Sequence, residues 1–434
     1  MRGILIRRAM TVSTAAPSRI ALIAIALPLL LAAPRAGASD DLPLAGHPED
    51  VGVSAERLHR IDDVIRRNIE NHRIAGAVTL VARRGKVVHF EAQGLMDLDS
   101  KKPMAKDTLF RMASSTKPVT GVAIMMMIEE GKVRLNDPVS KFIPEFKAMK
   151  VAVQREPESE VQLVPAEREI TIRDLMTHTS GLVSGGLGTR RVPQGSLFPG
   201  ESETLASIVQ RLAKTSLDFQ PGTRWRYSGL AGIDTLGRVV EVTSGQSFDE
   251  FLKRRIFEPL GMQDTFFALP DDRKDRLATV YRGTENGLEK STFTLRFPKT
   301  YYSGAGGLVS CAADYFRFAQ MLANRGELGG HRLLSPRAVA LYSSNHVGDM
   351  MPGQLGRPRG MGFGLTVEVM VDSVRAGSFR SNGSFGWDGA FGTHFWVDPK
   401  EQLVGVFLVQ ATAGPVVAGI QRDFETAVMQ AIVE

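Results

Sequence analysis

The chain of 434 residues is 43% hydrophobic and 23% charged, a globular balance that excludes wholesale disorder. Of its 53 lysines and arginines, five (Arg2, Arg7, Arg8, Arg19 and Arg35) lie within residues 1–38, which contain no acid. The remainder carries 48 basic against 47 acidic residues with no basic block, so nucleic-acid binding loses its electrostatic basis.

Those first residues predict a cleavable export signal over 1–38, because arginines precede the apolar run 20–33 and Ala36-Gly37-Ala38 offers a cleavage site. The run is about 14 residues, short of the ~20 that span a bilayer, and Pro28 interrupts it. The mature chain, 39–434, is expected in the periplasm or outside the cell, without stable membrane insertion. Cys311 is the only cysteine, so no internal disulfide and no cysteine-cluster metal site is expected.

Leu58, Ile61, Val64, Ile65 and Ile69 fall at helical spacing behind Ser54 and predict a helix over 54–70. Two β-prone runs, 77–81 and 87–90, flank Arg84-Gly85 as a hairpin. Residues 119–130 are apolar nearly all round and end at Gly131, the pattern of a buried helix. Segments 151–169 and 183–203 read as surface loops. A helix over 230–242 is apolar at 230, 233, 236, 239 and 240. Ser247-Phe248-Asp249-Glu250 reads as a capping box opening a helix that must stop before Pro259. A strand over 364–371 and a hairpin of 393–397 with 403–409 close the chain. Strands at both ends and helices between them predict an α+β fold: one antiparallel sheet (about 54–104 and 356–434) with an all-helical lobe (about 105–355) inserted.

Ser114 and Lys117 lie three apart, hence on one side of a helix, where the amine can reach the hydroxyl. A serine becomes a nucleophile only when a neighbouring base removes its proton, and a buried amine at a helix N-terminus is a suitable base. Tyr227, in a turn leading into the helix from 230, is placed to expose a phenol at a cleft. Trp387-Asp388-Gly389-Ala390 precedes a strand, and a glycine there lets a backbone N–H approach a ligand closely.

Together, Phe110-Arg111-Met112-Ala113-Ser114-Ser115-Thr116-Lys117, Leu175-Met176-Thr177-His178-Thr179-Ser180-Gly181-Leu182, Tyr227-Ser228, Ile256-Phe257-Glu258-Pro259-Leu260-Gly261-Met262 and Gly306-Gly307-Leu308 resemble the serine β-lactamase and penicillin-binding superfamily. The similarity is greatest to its class C-like branch with the family VIII carboxylesterases, and runs from about residue 54 to the C-terminus. It implies a β-lactamase/transpeptidase-like fold with Ser114 as acylated nucleophile, Lys117 as activating partner and Tyr227 as proton carrier. The N–H groups of Ser114 and Ala390 would form the oxyanion hole, with Trp387 and Gly389 beside the substrate. No cofactor is implied.

Two departures bear on the substrate. Gly229 stands where the lactam-cleaving pattern has an asparagine, and cannot donate a side-chain hydrogen bond to an amide. Trp387, with Asp388 beside it, replaces a lysine that holds a substrate carboxylate, which disfavours an anion and offers an apolar ring to a neutral acyl or alkyl group. The expected activity is that of an exported serine hydrolase cleaving small carboxylic esters through an acyl-serine. A β-lactamase or D-Ala-D-Ala carboxypeptidase, an acyltransferase, and a non-catalytic penicillin-binding-type receptor are the alternatives.

Other residues have plainer readings. His178 reads as part of a structural turn and His394 as packed or bonded to backbone. Gly304-Ala305-Gly306-Gly307 reads as a tight backbone approach behind the serine, Met125-Met126-Met127 as core, and Cys311 as a small packed residue. Asn382-Gly383-Ser384 fits a glycosylation pattern too short to carry weight. The chain has no Gly-x-Ser-x-Gly, against an α/β-hydrolase nucleophile elbow.

Overall fold

The computed structural model describes residues 42–434 apart from 157, 158, 194, 196 and 413; the expected export signal lies outside them. Helix α1 (Ala55–Glu70) begins at Ser54, whose hydroxyl accepts the Arg57 N–H, and buries Leu58, Ile61, Val64 and Ile65. Strands β1 (Gly76–Arg83) and β2 (Lys86–Asp97) meet at Arg84 and Gly85, both left-handed with φ of 52° and 76°. That pair of positive φ values matches the turn to the strand twist. A short β3 (Lys102–Pro103) follows.

The other end of the chain supplies β4 (Met361–Phe363), β5 (Glu368–Met370), β6 (Phe385–Asp388), β7 (His394–Asp398) and β8 (Leu403–Leu408). The eight strands form one antiparallel sheet in the order β4-β5-β6-β7-β8-β1-β2-β3, so both chain ends complete it as expected. Its central seam runs from Val78 opposite Leu408 to Arg83 opposite Leu403.

Helices α2 (Lys117–Glu129), α3 (Ala231–Ser244), α4 (Ala312–Ala323) and α5 (Pro415–Met429) complete the main layers. Side chains alternate across the sheet. Val78, Leu80, Val404 and Val406 join the core that includes α2 and α4, while Val81, Leu403, Phe407 and Trp396 join α1 and α5. Burying each such large side chain stabilises the fold by roughly 1.5–3 kcal/mol. No helix among the described residues is long and apolar enough to cross a membrane.

Six expectations need correction. The 364–371 run is not one strand: Thr366 takes φ 78° and turns the chain from β4 into β5. Segment 151–169 contains an antiparallel hairpin, Lys150–Val153 with Gln162–Pro165, and 183–203 contains a short helix, Leu187–Arg190. The inserted lobe is therefore not all-helical, and it also pairs Tyr281–Thr284 with Gly287–Lys290. Finally, Ser247 caps without a side-chain hydrogen bond, and the helix passes through Pro259. A π turn over Lys253–Phe257 widens the backbone where the ring would otherwise strike the preceding carbonyl.

Candidate active site

Ser114 lies on a 3-10 turn, Ala113–Thr116, that runs directly into α2. Ala113 adopts φ 47°, a conformation costly for a residue with a Cβ, and is held there by packing against Val280, Phe391 and Leu295. Lys117 is wholly buried, yet its ammonium position is fully partnered. Nζ donates to the carbonyls of Gly229 (2.6 Å) and Ala305 (2.7 Å) and to Ser114 Oγ (3.1 Å). Two carbonyls thus fix two N–H bonds and aim the third tetrahedral position, proton or lone pair, at the serine.

Tyr227 sits in the turn before α3 and donates from its hydroxyl to Ser114 Oγ at 2.7 Å. Its ring is walled by His178 (4.7 Å between centroids) and Trp387 (5.6 Å), and Lys117 Nζ lies 5.1 Å from the ring centre. His178 is structural, as its turn implied. It is left-handed at φ 58°, its Nδ1 accepts the Ser228 N–H, and burial together with the Lys117 charge pushes the imidazole well below its usual range. The sequence thus brings Ser114, Lys117 and Tyr227 to one point, a hydroxyl flanked by an amine and a phenol. Such an arrangement can pass protons to and from a reacting oxygen.

The Trp387-Asp388-Gly389-Ala390 segment ends β6 beside the serine turn. Thr393 Oγ1 bonds both Ser115 Oγ (2.9 Å) and the Met112 carbonyl (3.0 Å), clamping the two segments together. The N–H groups of Ser114 and Ala390 donate no hydrogen bond among the described residues, and Ala390 is exposed. Gly389 differs from the expectation of a ligand-facing N–H: that group donates to the Thr393 carbonyl at 2.7 Å. Glycine is required there by space, since a Cβ would come 2.3 Å from the Met112 oxygen.

Trp387 is 2% exposed and spends its ring on Tyr227, Phe363 and the Arg357 guanidinium rather than on open solvent. The electrostatic argument from Asp388 also changes. Burial would raise its carboxyl, but Arg357 and His394 reverse this and hold it well below the usual carboxylate range, so the charge is compensated within the fold. His394 is neither merely packed nor bonded to backbone. Its Nδ1 pairs with Asp388 at 2.5 Å and its Nε2 lies 2.9 Å from Glu425, which in turn meets Arg380 at 3.0 Å. These partners come from separate segments, which no local pattern could join.

Asp234 is a further residue that sequence reasoning missed. Wholly buried on α3, it accepts from Tyr301 Oη (2.6 Å), Ser303 Oγ (2.9 Å) and the Ala305 N–H (3.0 Å), fixing the strip whose carbonyl holds Lys117. Burial raises its carboxyl pKa against the opposing pull of those three donors and Lys117. The available signal was a lone acid beside the apolar positions 233 and 236. Gly304 closes the same strip against α2: its carbonyl accepts Thr120 Oγ1 at 2.7 Å. The tight approach expected of 304–307 is present.

The beta-lactamase family model matches residues 61–428. Esterase EstB of Burkholderia gladioli is 31% identical over 385 residues, covering 83% of this chain and 92% of that protein. Protein Rv1367c of Mycobacterium tuberculosis is 37% identical over 355 residues, covering 78% of this chain and 86% of that one. Among solved structures, EstCE1, described as a hydrolase with promiscuous acyltransferase activity, superposes with a TM-score of 0.73 at 30% identity over 86% of this chain and 99% of its own. With a family model spanning most of its length and esterases among its relatives, the chain belongs to the beta-lactamase family of serine hydrolases.

Proposed function

We propose that the protein is an exported serine hydrolase that cleaves small carboxylic esters through an acyl-Ser114 intermediate. The observation that carries this reading is the double hold on Ser114 Oγ, by Lys117 Nζ at 3.1 Å and Tyr227 Oη at 2.7 Å. In acylation the serine proton passes to the Lys117 amine as Oγ bonds to the ester carbonyl carbon. The oxyanion so formed meets the N–H groups of Ser114 and Ala390, one such donor being worth roughly 3–4 kcal/mol of barrier. Collapse breaks the carbon–alkoxide bond, and Tyr227 gives its proton to the departing alcohol. Water then loses a proton to the Tyr227 phenolate and attacks the acyl carbon. Ser114 leaves with the proton held by Lys117, and all three groups return to their starting state.

The preference for esters rests on Gly229. It supplies no side-chain amide, and a Cβ there would meet nothing within 4 Å, so the position is open beside the carbonyl that holds Lys117. An ester asks for no N–H partner at its leaving atom, whereas an amide or lactam nitrogen is better served by one. The similarity to the esterase EstB supports the same choice. The promiscuous acyltransferase activity of EstCE1 favours a second reading, in which an alcohol takes the place of water in deacylation.

A p-nitrophenyl ester series assayed beside nitrocefin tests the proposal. Turnover of short-chain esters with little or none of nitrocefin is expected. Nitrocefin hydrolysis without ester hydrolysis would reverse it, and alkyl ester products in added alcohol would establish transfer.

A further inference from the structure

We propose that a second site, a cationic cleft on the inserted lobe that shares no residue with the Ser114 site, binds a phosphate-bearing organic ligand. The cleft encloses about 560 Å³ where the 150–153/162–165 hairpin meets the helix Leu187–Arg190 and the end of the helix Leu205–Leu212. Lys147, Lys150, Arg191, Arg211 and Lys214 line it, and no aspartate or glutamate does. Arg211 pairs with Glu203 at 2.7 Å, but the other four have no carboxylate within 4 Å among the described residues. Elsewhere exposed lysines are divided: Lys102, Lys106, Lys132, Lys141 and Lys290 each reach an acid within that distance, whereas Lys86, Lys101, Lys253 and Lys400 do not but lie apart on the surface, so what marks the cleft is that its unpaired cations share one concavity.

Outside residues 1–38 the two signs balance almost one to one, so four unpaired cations in one concavity are a local excess. Two of the five lining cations have a helical explanation. Arg211 lies in the last turn of its helix and Lys214 just beyond, where both complement the negative end of the dipole. Arg191 and Lys147 also follow helical ends, but of turns of only four and three residues, Leu187–Arg190 and Pro144–Phe146, whose dipoles are small, and Lys150 opens a strand. Like charges facing one another across a concave wall focus a positive potential that a multivalent anion relieves. Phosphate fits best, because several oxygens can be shared among several donors.

Apart from Thr215 and Ser216, the remaining lining is apolar. Met149, Val192 and the 41%-exposed Leu163 give a surface on which the carbon part of a phosphate ester can rest. That distinguishes the cleft from a site for a bare ion. The ligand chemistry is therefore an organic phosphate, from either a soluble phosphate ester or a phospholipid headgroup.

The test titrates the full chain with glycerol 3-phosphate and with pyrophosphate by calorimetry at low salt, and sediments it with phosphatidylcholine vesicles with and without phosphatidylglycerol. The cleft variant carries Lys147→Gln, Lys150→Gln, Arg191→Gln and Lys214→Gln. A control variant of equal net charge carries Lys86→Gln, Lys101→Gln, Lys253→Gln and Lys400→Gln, all exposed positions outside the cleft. Affinity is expected to fall about tenfold or more in the cleft variant, from the loss of charge-assisted bonds, and to stay within about twofold in the control, with thermal midpoints unchanged in both. Binding of the soluble esters alone identifies a soluble ligand. Binding to phosphatidylglycerol vesicles, reversed by glycerol 3-phosphate, identifies a headgroup. Equal weakening in both variants, or no binding of any probe by the parent chain at millimolar concentration, would overturn the proposal.

Discussion

Gly389 and Met112 touch backbone to backbone: a Cβ built on Gly389 would lie 2.3 Å from the Met112 carbonyl oxygen and 2.1 Å from Thr393 Oγ1. Two residues beyond Met112 stands Ser114, and next to Gly389 stands Ala390, so this contact sets how closely the free Ala390 N–H approaches the serine. Gly389→Ala is expected to push the strand end away. Activity should fall about 10²-fold, comparable to losing one oxyanion donor, with most of the loss in kcat. Steady-state kinetics on a p-nitrophenyl ester checks this, and an unchanged kcat would show that the Ala390 N–H is not used.

Tyr227→Phe removes one hydroxyl from a ring still packed between His178 and Trp387. The fold should persist, with a thermal midpoint within a few degrees of the parent, while kcat/KM falls about 10²–10⁴-fold for loss of a positioned proton carrier. A drop under tenfold would mean that Lys117 alone manages the protons.

How much of this was legible from sequence depends on the range over which each signal acts. Ser114 and Lys117 were legible because a helical turn fixes residues three apart, and the two outer hairpins because alternation and turn residues lie within a dozen positions. The 150–153/162–165 hairpin was not. Its second strand is largely exposed and shows no buried face to alternate against. The break at Thr366 was hidden for a related reason: both flanking strands are buried on each face and read as one apolar run. Least legible was the Arg357, Asp388, His394 and Glu425 cluster. It joins a loop, two strands and the last helix, and an acid beside Trp387 looked like a free charge when it is a paired one.

Gly229→Asn should be accommodated without cost to folding, since the added side chain enters open space. A change in stability under about 0.5 kcal/mol is expected, as for an exposed site. The new amide supplies a donor beside the carbonyl that holds Lys117, so the ratio of ester to nitrocefin turnover should fall at least severalfold. An unaltered ratio would remove Gly229 from the account of specificity.

His394 makes stability depend on pH. Burial alone would lower its pKa, but Asp388 and Glu425 reverse this and raise it to about 9 from an ordinary 6.5; Arg357, Glu368 and Arg380 complete the charged surroundings. A raised histidine contributes stability that is fully present below about pH 6.5 and is lost as pH climbs through about 9. The thermal midpoint of the parent should decline across that window. That of His394→Gln should start lower and decline less. Parallel curves would assign the decline to other groups.

The most direct measurement of the central claim is intact mass after brief mixing with p-nitrophenyl acetate. The parent chain should gain one acetyl group, mapped to Ser114 and lost again on standing, while Ser114→Ala gains none and hydrolyses no ester. An adduct that persists in the Ser114→Ala chain, or full ester turnover by it, would contradict the account.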